Sequence, residues 1–195
     1  MKLYWCPQSR AITALWMMEE TGMPYERELV DIRSGAQAKP EYAAVNPMMK
    51  VPALEDGPVK VAESGAILAY VAERLPEAGL APPVGDEKRG DYLRWLFFGP
   101  MIEAAITQKV TNLEMASSTA GWGSYERVVD VLEAGVIDKP WLLGDRFSAA
   151  DVMIGSNLNY GMMFKLIEPR PAFAAYVERC AARPAFQRSR QLGDG

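Results

Sequence analysis

The sequence predicts a small mixed α/β unit followed by an all-helical one. Three observations lead there. Residues 1–79 alternate short apolar runs with helical periodicity, residues 80–86 are rich in proline and glycine, and the periodic stretches after them repeat at helical spacing. Leu3-Tyr4-Trp5 reads as a strand stopped by Pro7. Ala11, Ala14, Leu15 and Met18 then recur on one helix face, and Gly22 and Pro24 close that helix. Tyr25 to Val30 alternates polar and apolar residues, with a second strand expected over Leu29-Val30-Asp31-Ile32. Val51–Leu54 and Val59–Ala62 flank Glu55-Asp56-Gly57-Pro58, a hairpin with turn chemistry at its centre. Ser64 to Leu75 is helical and stops at Pro76. The order β-α-β, then ββ-α, implies a four-stranded mixed sheet covered by helices.

The expected boundaries are 1–79 for this unit, 80–86 for a linker and 87–195 for the helical domain. In the latter, Phe97, Met101, Ala104, Ala105 and Gln108 share a face, with a kink expected at Gly99-Pro100. Val128, Val129, Leu132 and Val136 form a second face, and Phe173, Tyr176, Val177 and Cys180 a third, before Pro184. Ser148-Ala149-Ala150-Asp151 has the form of a capping box, with Phe147 and Val152 spaced as its hydrophobic staple. Met115–Ser124, rich in Ser, Thr and Gly around Trp122, is expected to be a mobile connection.

Composition narrows the chemistry. Of 195 residues, 49% are hydrophobic and 24% charged, an ordinary globular mix long enough to bury a core without staples. Lys plus Arg is 21 against 25 for Asp plus Glu, a net charge of -4 with no basic cluster, which argues against nucleic acid as a partner. Two cysteines, Cys6 and Cys180, make no disulfide framework and favour a reducing compartment. There is no histidine, which excludes Ser-His-Asp triads, His proton shuttles and His-ligated metals, and two cysteines cannot build a four-thiolate zinc site. The opening residues lack the long apolar region of a secretory signal, and no run reaches the ~18 apolar residues of a membrane span, so the expected location is the cytoplasm.

Three short strings carry chemistry. Cys6-Pro7-Gln8-Ser9-Arg10 joins a strand to a helix start, where unpaired amides and the positive dipole end stabilise an anion. Either Cys6 is itself a low-pKa nucleophile, or Ser9 donates a hydrogen bond to a thiolate on a bound substrate, or Ser9 caps the helix and Cys6 is a small buried hydrophobe. In Lys50-Val51-Pro52-Ala53-Leu54 a proline enters a strand-like run. That fits either an edge-strand proline or a cis Val51–Pro52 bond with the Val51 backbone facing a peptide-like ligand. Glu63-Ser64-Gly65-Ala66-Ile67 is either a plain cap or a carboxylate and helix start able to hold both ends of an amino-acid group.

Taken in order and together, these strings resemble the cytosolic glutathione transferases of bacterial, serine-type style. The matching pieces run from Met1-Lys2-Leu3-Tyr4, Pro7 and Ser9-Arg10 through Leu15-Trp16, Glu19-Glu20-Thr21-Gly22-Met23-Pro24-Tyr25-Glu26, Asn46-Pro47, Lys50-Val51-Pro52-Ala53-Leu54 and Glu63-Ser64. They continue with Tyr92-Leu93-Arg94-Trp95-Leu96-Phe97-Phe98 and the stretch Trp141–Asp151, so that nearly the whole chain is covered. The resemblance implies a thioredoxin-like N-terminal domain, an all-helical C-terminal domain, a homodimer, and glutathione as co-substrate without a metal. It implies a detoxifying transfer of glutathione to a small apolar electrophile held between the domains. The γ-glutamyl site maps to Glu63 and Ser64, the cysteinyl backbone contact to Val51, and the cis-proline to Pro52, with Arg10 and Lys50 beside them. Two positions depart from the family pattern. Where one bacterial class has its cysteine this chain has Arg10, and a frequent His or Lys is replaced by Met49.

The mechanism that follows places Ser9 as hydrogen-bond donor to the glutathione sulfur, with the helix start adding positive potential. A free thiol has a pKa of about 8.5, and a charge-assisted hydrogen bond of about 1.5–3 kcal/mol lowers it by one to two units. The apolar pocket is expected from Trp5, Phe97, Met101, Gln108, Trp122 and Met162. Two alternatives stand beside conjugation. One is a glutathione-dependent thiol-disulfide oxidoreductase, or deglutathionylase, using Cys6, and the other is a non-catalytic glutathione-binding protein.

Overall fold

Leu3, Tyr4 and Trp5 are all buried, as expected of a strand hydrogen-bonded on both sides, and in the computed structural model, which describes residues 1–193, β1 (Lys2–Trp5) is central. The sheet order is β2-β1-β3-β4, with β2 (Glu26–Leu29) parallel to β1, β3 (Ala53–Asp56) antiparallel to β1, and β4 (Val59–Ala62) antiparallel to β3. This is the mixed four-stranded sheet that the pattern predicts. Two strands are shifted from expectation. β2 begins earlier, because Val30 adds one last bond to the Trp5 carbonyl at 2.8 Å and Asp31 Oδ1 then accepts the Arg33 and Ser34 amides, turning the chain. β3 begins later, because Pro52 has no amide to give the ladder, and it runs on to Asp56 because the turn needs only Gly57, at φ 59°, and Pro58.

Helix α1 (Ala11–Thr21) follows β1, and every one of its residues from Thr13 to Met18 is buried. A four-residue helix, α2 (Pro40–Ala43), precedes β3, and α3 (Ser64–Arg74) follows β4. The second unit, Pro82–Ala181, holds α4 (Arg89–Leu96), α5 (Gly99–Thr111), α6 (Tyr125–Val136), α7 (Ala149–Met163) and α8 (Pro171–Ala181). α9 (Pro184–Gly193) packs in the first unit, on α1. The physical reason is specific: Arg183 Nε and Nη2 donate to both oxygens of the Glu20 carboxylate at 2.7 Å, Trp16 Nε1 donates to the same carboxylate, and the Phe186 ring sits edge-on to Trp16 at 4.9 Å.

The expected kink at Gly99-Pro100 is a full break. Pro100 cannot carry α4 onward, so α4 ends at Leu96 and Phe97 falls outside the buried stripe, 58% exposed. The buried face of α5 is Gly99, Ile102 and Ala105. The Met115–Ser124 connection is pinned at its far end, where Trp122 Nε1 donates to Gln108 Oε1 at 2.7 Å and Ala120 is buried.

The capping box forms around a buried carboxylate. Asp151 accepts from the amides of Leu142 at 2.8 Å and Ser148 at 2.9 Å, from Ser148 Oγ at 3.1 Å and from the Tyr176 hydroxyl at 2.7 Å. Burial pushes this carboxyl above its usual range, and the four donors offset part of that. Asp151→Ala leaves four buried donors without an acceptor and is expected to cost at least about 3 kcal/mol, read by urea unfolding of the variant against the parent. Gly135 tests close packing between α6 and α4. A Cβ there would lie 2.4 Å from Cη2 of Trp95, a ring already set edge-on against Phe98. Helix propensity favours Ala over Gly by about 1 kcal/mol, whereas overpacking a rigid ring costs about 1–3 kcal/mol. Gly135→Ala is therefore expected to lower the melting temperature, measured by thermal circular dichroism.

Candidate functional site

The strand register brings the three chemistry-bearing strings to one end of the sheet. Tyr4 lies opposite Ala53, and Ala53 opposite Ala62. The residues that leave β1 (6–10), enter β3 (51–52) and leave β4 (63–64) are therefore neighbours at that end. The positive ends of α1 and α3 lie at the same end, because each helix starts directly after its strand.

Ser9 is half-buried, and both functions of its hydroxyl are engaged. Oγ donates to the Cys6 carbonyl at 2.7 Å and accepts the Ala11 amide at 3.2 Å. The hydroxyl thus caps the start of α1 while its proton rests on a neutral carbonyl. Cys6 itself is 3% exposed, so its sulfur is reached only if the 6–9 loop opens. Arg10 is half-buried at the helix start.

The Val51–Pro52 bond is cis. The loop leading to it is held by polar side chains. Asn46, 2% exposed, accepts the Met48 amide at Oδ1 and donates from Nδ2 to the Lys50 carbonyl at 2.8 Å; the Tyr42 hydroxyl donates to the same carbonyl. Burial pushes the Tyr42 phenol up to about 12, so it stays protonated and a donor. The Val51 backbone amide and carbonyl form no hydrogen bond among the described residues, and Lys50 is exposed beside them. Glu63 is exposed at φ +68°, directly before α3, and Ser64 opens that helix; neither side chain makes a hydrogen bond among the described residues. Positive φ at a residue other than glycine is uncommon, and among the described residues of the first unit the three cases, Gln8, Met49 and Glu63, all belong to these loops.

Sequence reading missed two parts of this arrangement. Arg33 Nη2 donates to Gln8 Oε1 at 2.7 Å, tying a cation from the loop after β2 to the loop after β1. The Ser34 hydrogen bond and the Arg33 amide hold the Asp31 carboxyl below its usual range, which fixes that loop as a charged turn. No periodicity signals a contact between two exposed loop residues 25 apart. Asn46 was visible as Asn-Pro, but its bracing of the Lys50 carbonyl was not.

Of the residues expected to line an apolar pocket, Trp5 belongs to the first unit and the other five to the second. Trp5 is buried in the first unit, under the Arg27 guanidinium at 5.4 Å. In the helical unit, Gln108 and Trp122 are joined by their hydrogen bond, Met101 and Met162 are half-buried, and Phe97 is exposed. Among the described residues, no cluster of three or more potential metal ligands occurs, and no helix is long and apolar enough to cross a membrane.

Comparison with known proteins agrees with this architecture along the whole chain. The family model described as glutathione S-transferase, N-terminal domain, matches residues 1–73, and that described as glutathione S-transferase, C-terminal domain, matches residues 66–179. The disulfide-bond oxidoreductase YfcG of Escherichia coli is 29% identical over 98% of this chain and 96% of its own length. A glutathione transferase crystal structure from Methylococcus capsulatus superposes with a TM-score of 0.81, at 32% identity over 98% of each chain. A sphingomonad glutathione S-transferase complexed with glutathione gives a TM-score of 0.78 at 26% identity, covering 99% of this chain and 98% of the other. With both halves matched in order and a solved relative superposed over nearly every residue, this chain belongs to the glutathione S-transferase family.

Proposed function

We propose that the chain binds glutathione at the shared end of β1, β3 and β4 and transfers its thiolate to small apolar electrophiles. The observation that carries this reading is the free backbone of Val51, presented beside a cis proline by a braced loop, at the same sheet end as Ser9 and Glu63. A peptide-like ligand supplies the amide and carbonyl that Val51 lacks, in the manner of an added strand. Glu63 takes the ammonium of the γ-glutamyl group, and Ser64 with the first amides of α3 takes its carboxylate. Arg10 and Lys50 supply positive charge around the tripeptide.

Ser9 then changes partner. Its hydroxyl donates to the Cys6 carbonyl in the structure described above. A thiolate carries a full negative charge, and hydrogen bonds to ions are roughly twice as strong as neutral ones, so the proton turns to the sulfur. The oxygen keeps the Ala11 amide, which holds it in place. Ser9 is not a nucleophile in this scheme; it and the positive end of α1 stabilise the anion that attacks. On the helical unit, Met101, Gln108, Trp122 and Met162 contribute to holding the apolar electrophile. We also propose a homodimer in the cytoplasm, and light scattering on the purified chain is expected to read twice the monomer mass.

The similarity to YfcG keeps the oxidoreductase reading in play, with Cys6 forming a mixed disulfide, but the burial of that sulfur weighs against it. Absorbance titration of bound glutathione separates the two. The bound thiol is expected to ionise one to two units below the free value of about 8.5, and Ser9→Ala is expected to remove most of that shift and slow conjugation about ten- to a hundredfold. Cys6→Ser is expected to leave conjugation unchanged. An unshifted bound thiol in the parent chain would overturn the mechanism, and loss of disulfide reduction in Cys6→Ser alone would establish the alternative.

A further inference from the structure

The loop that carries Ser9 is tied at its ends and not in its middle. Ser9 Oγ donates to the Cys6 carbonyl at 2.7 Å and accepts the Ala11 amide at 3.2 Å. Between Cys6 and Ser9, Pro7 has no amide to give, and Gln8 makes no backbone hydrogen bond among the described residues. Gln8 also stands at φ +56°, a conformation that disfavours a side chain and persists only with support from its surroundings. The polar contact that this stretch does have comes from another loop, where Arg33 Nη2 donates to Gln8 Oε1 at 2.7 Å.

The Arg33 end of that contact is anchored. The bond from the Val30 amide to the Trp5 carbonyl, at 2.8 Å, brings the chain after β2 alongside the chain after β1. Asp31 then ties its own loop. Its Oδ1 accepts the Arg33 amide at 3.0 Å, and its carbonyl accepts the Ser34 hydroxyl at 2.9 Å and the Ala36 amide at 3.0 Å. A turn fixed by its own hydrogen bonds thus presents a guanidinium to a loop that lacks internal ties. Both side chains are exposed, so the contact can form and open without disturbing the core.

We propose that Arg33 is a positioning residue of the glutathione site. Acting through Gln8, it holds the 6–9 loop in the arrangement that keeps the Ser9 oxygen on the Ala11 amide and the Cys6 sulfur covered. A hydrogen bond from a cation is stronger than a neutral one, which offsets the cost of the Gln8 backbone. This inference rests on the role of Ser9 proposed above, and adds that the acidity of the bound thiol is set in part from the loop after β2. With the contact released, Ser9 drifts from the sulfur and Cys6, 3% exposed in the structure, is uncovered.

Two variants separate this tie from a simple effect of charge. Arg33→Met removes the donor and its charge, whereas Gln8→Met removes only the acceptor and keeps the side-chain length. Iodoacetamide labelling of the whole chain without glutathione, read peptide by peptide in a mass spectrometer, follows Cys6 against the fully buried Cys180 as internal reference. Each variant is expected to raise Cys6 labelling about three- to fivefold and to leave Cys180 unchanged, as one exposed charged contact allows. With glutathione bound, absorbance titration is expected to find the thiol about threefold less acidic in each variant, and no further change in the double variant. Unchanged Cys6 labelling in either variant, an equal rise at Cys180, or a thiol altered by Arg33→Met alone would overturn the proposal, the last because Arg33 would then act by its charge. A parent thiol that ionises like free glutathione would instead remove the role given to Ser9, while the labelling, done without glutathione, decides separately whether the pair holds the loop.

Discussion

The candidate site depends on where the backbone hydrogen bonds of residues 46–52 go. Residues 47–50 are exposed, and side chains rather than a strand ladder fix their backbone. Asn46 and Tyr42 both close on the Lys50 carbonyl, which fixes the residue immediately before Val51. Pro52 contributes no amide, so the ladder with β1 starts only at Ala53. The amide and carbonyl of Val51 are thereby left open at the end of the sheet. Without Asn46 the Met48 amide would lose its acceptor and the Lys50 carbonyl would keep only the Tyr42 hydroxyl, so the residue before Val51 would be held by one bond instead of two.

The same economy of polar groups recurs in the helical unit. Asp151 gathers four donors from the 141–148 loop, the start of α7 and Tyr176 of α8, so that one carboxylate ties three segments together. The helices around it are close-packed through glycine. A Cβ at Gly135 of α6 would meet the rigid Trp95 ring of α4, and one at Gly99 of α5 would meet the Met153 side chain of α7. The polar cluster and the glycine contacts act together: one fixes which ends meet, and the other lets the helices approach.

Much of this was legible in the residues. Hydrophobic period identified α1, α3, α6 and α8, and Gly57-Pro58 marked the hairpin, because these features depend on neighbours a few residues apart. The capping box at Ser148 and Asp151 was legible for the same reason, although the reach of Asp151 to Leu142 and Tyr176 was not. The break after Leu96 was read as a kink, since a proline signals a defect without giving its size. The strings around Ser9, Val51 and Glu63 suggested chemistry, but only the register of β1, β3 and β4 places them together. Arg33 and Gln8 escaped notice because exposed loop residues follow no period. The docking of α9 also escaped, because its anchor is a carboxylate on Glu20, 163 residues away from Arg183.

That long-range clasp has a consequence for how the protein is made. Until Arg183 and Phe186 emerge from the ribosome, Glu20 lacks the guanidinium and Trp16 lacks the Phe186 ring that pack on them in the folded chain. At about 5–20 residues per second, a nascent chain waits roughly ten to thirty seconds between translating one half of the clasp and the other. The sheet unit is the first to be synthesised and the last to be finished, and the helical unit is translated in the interval.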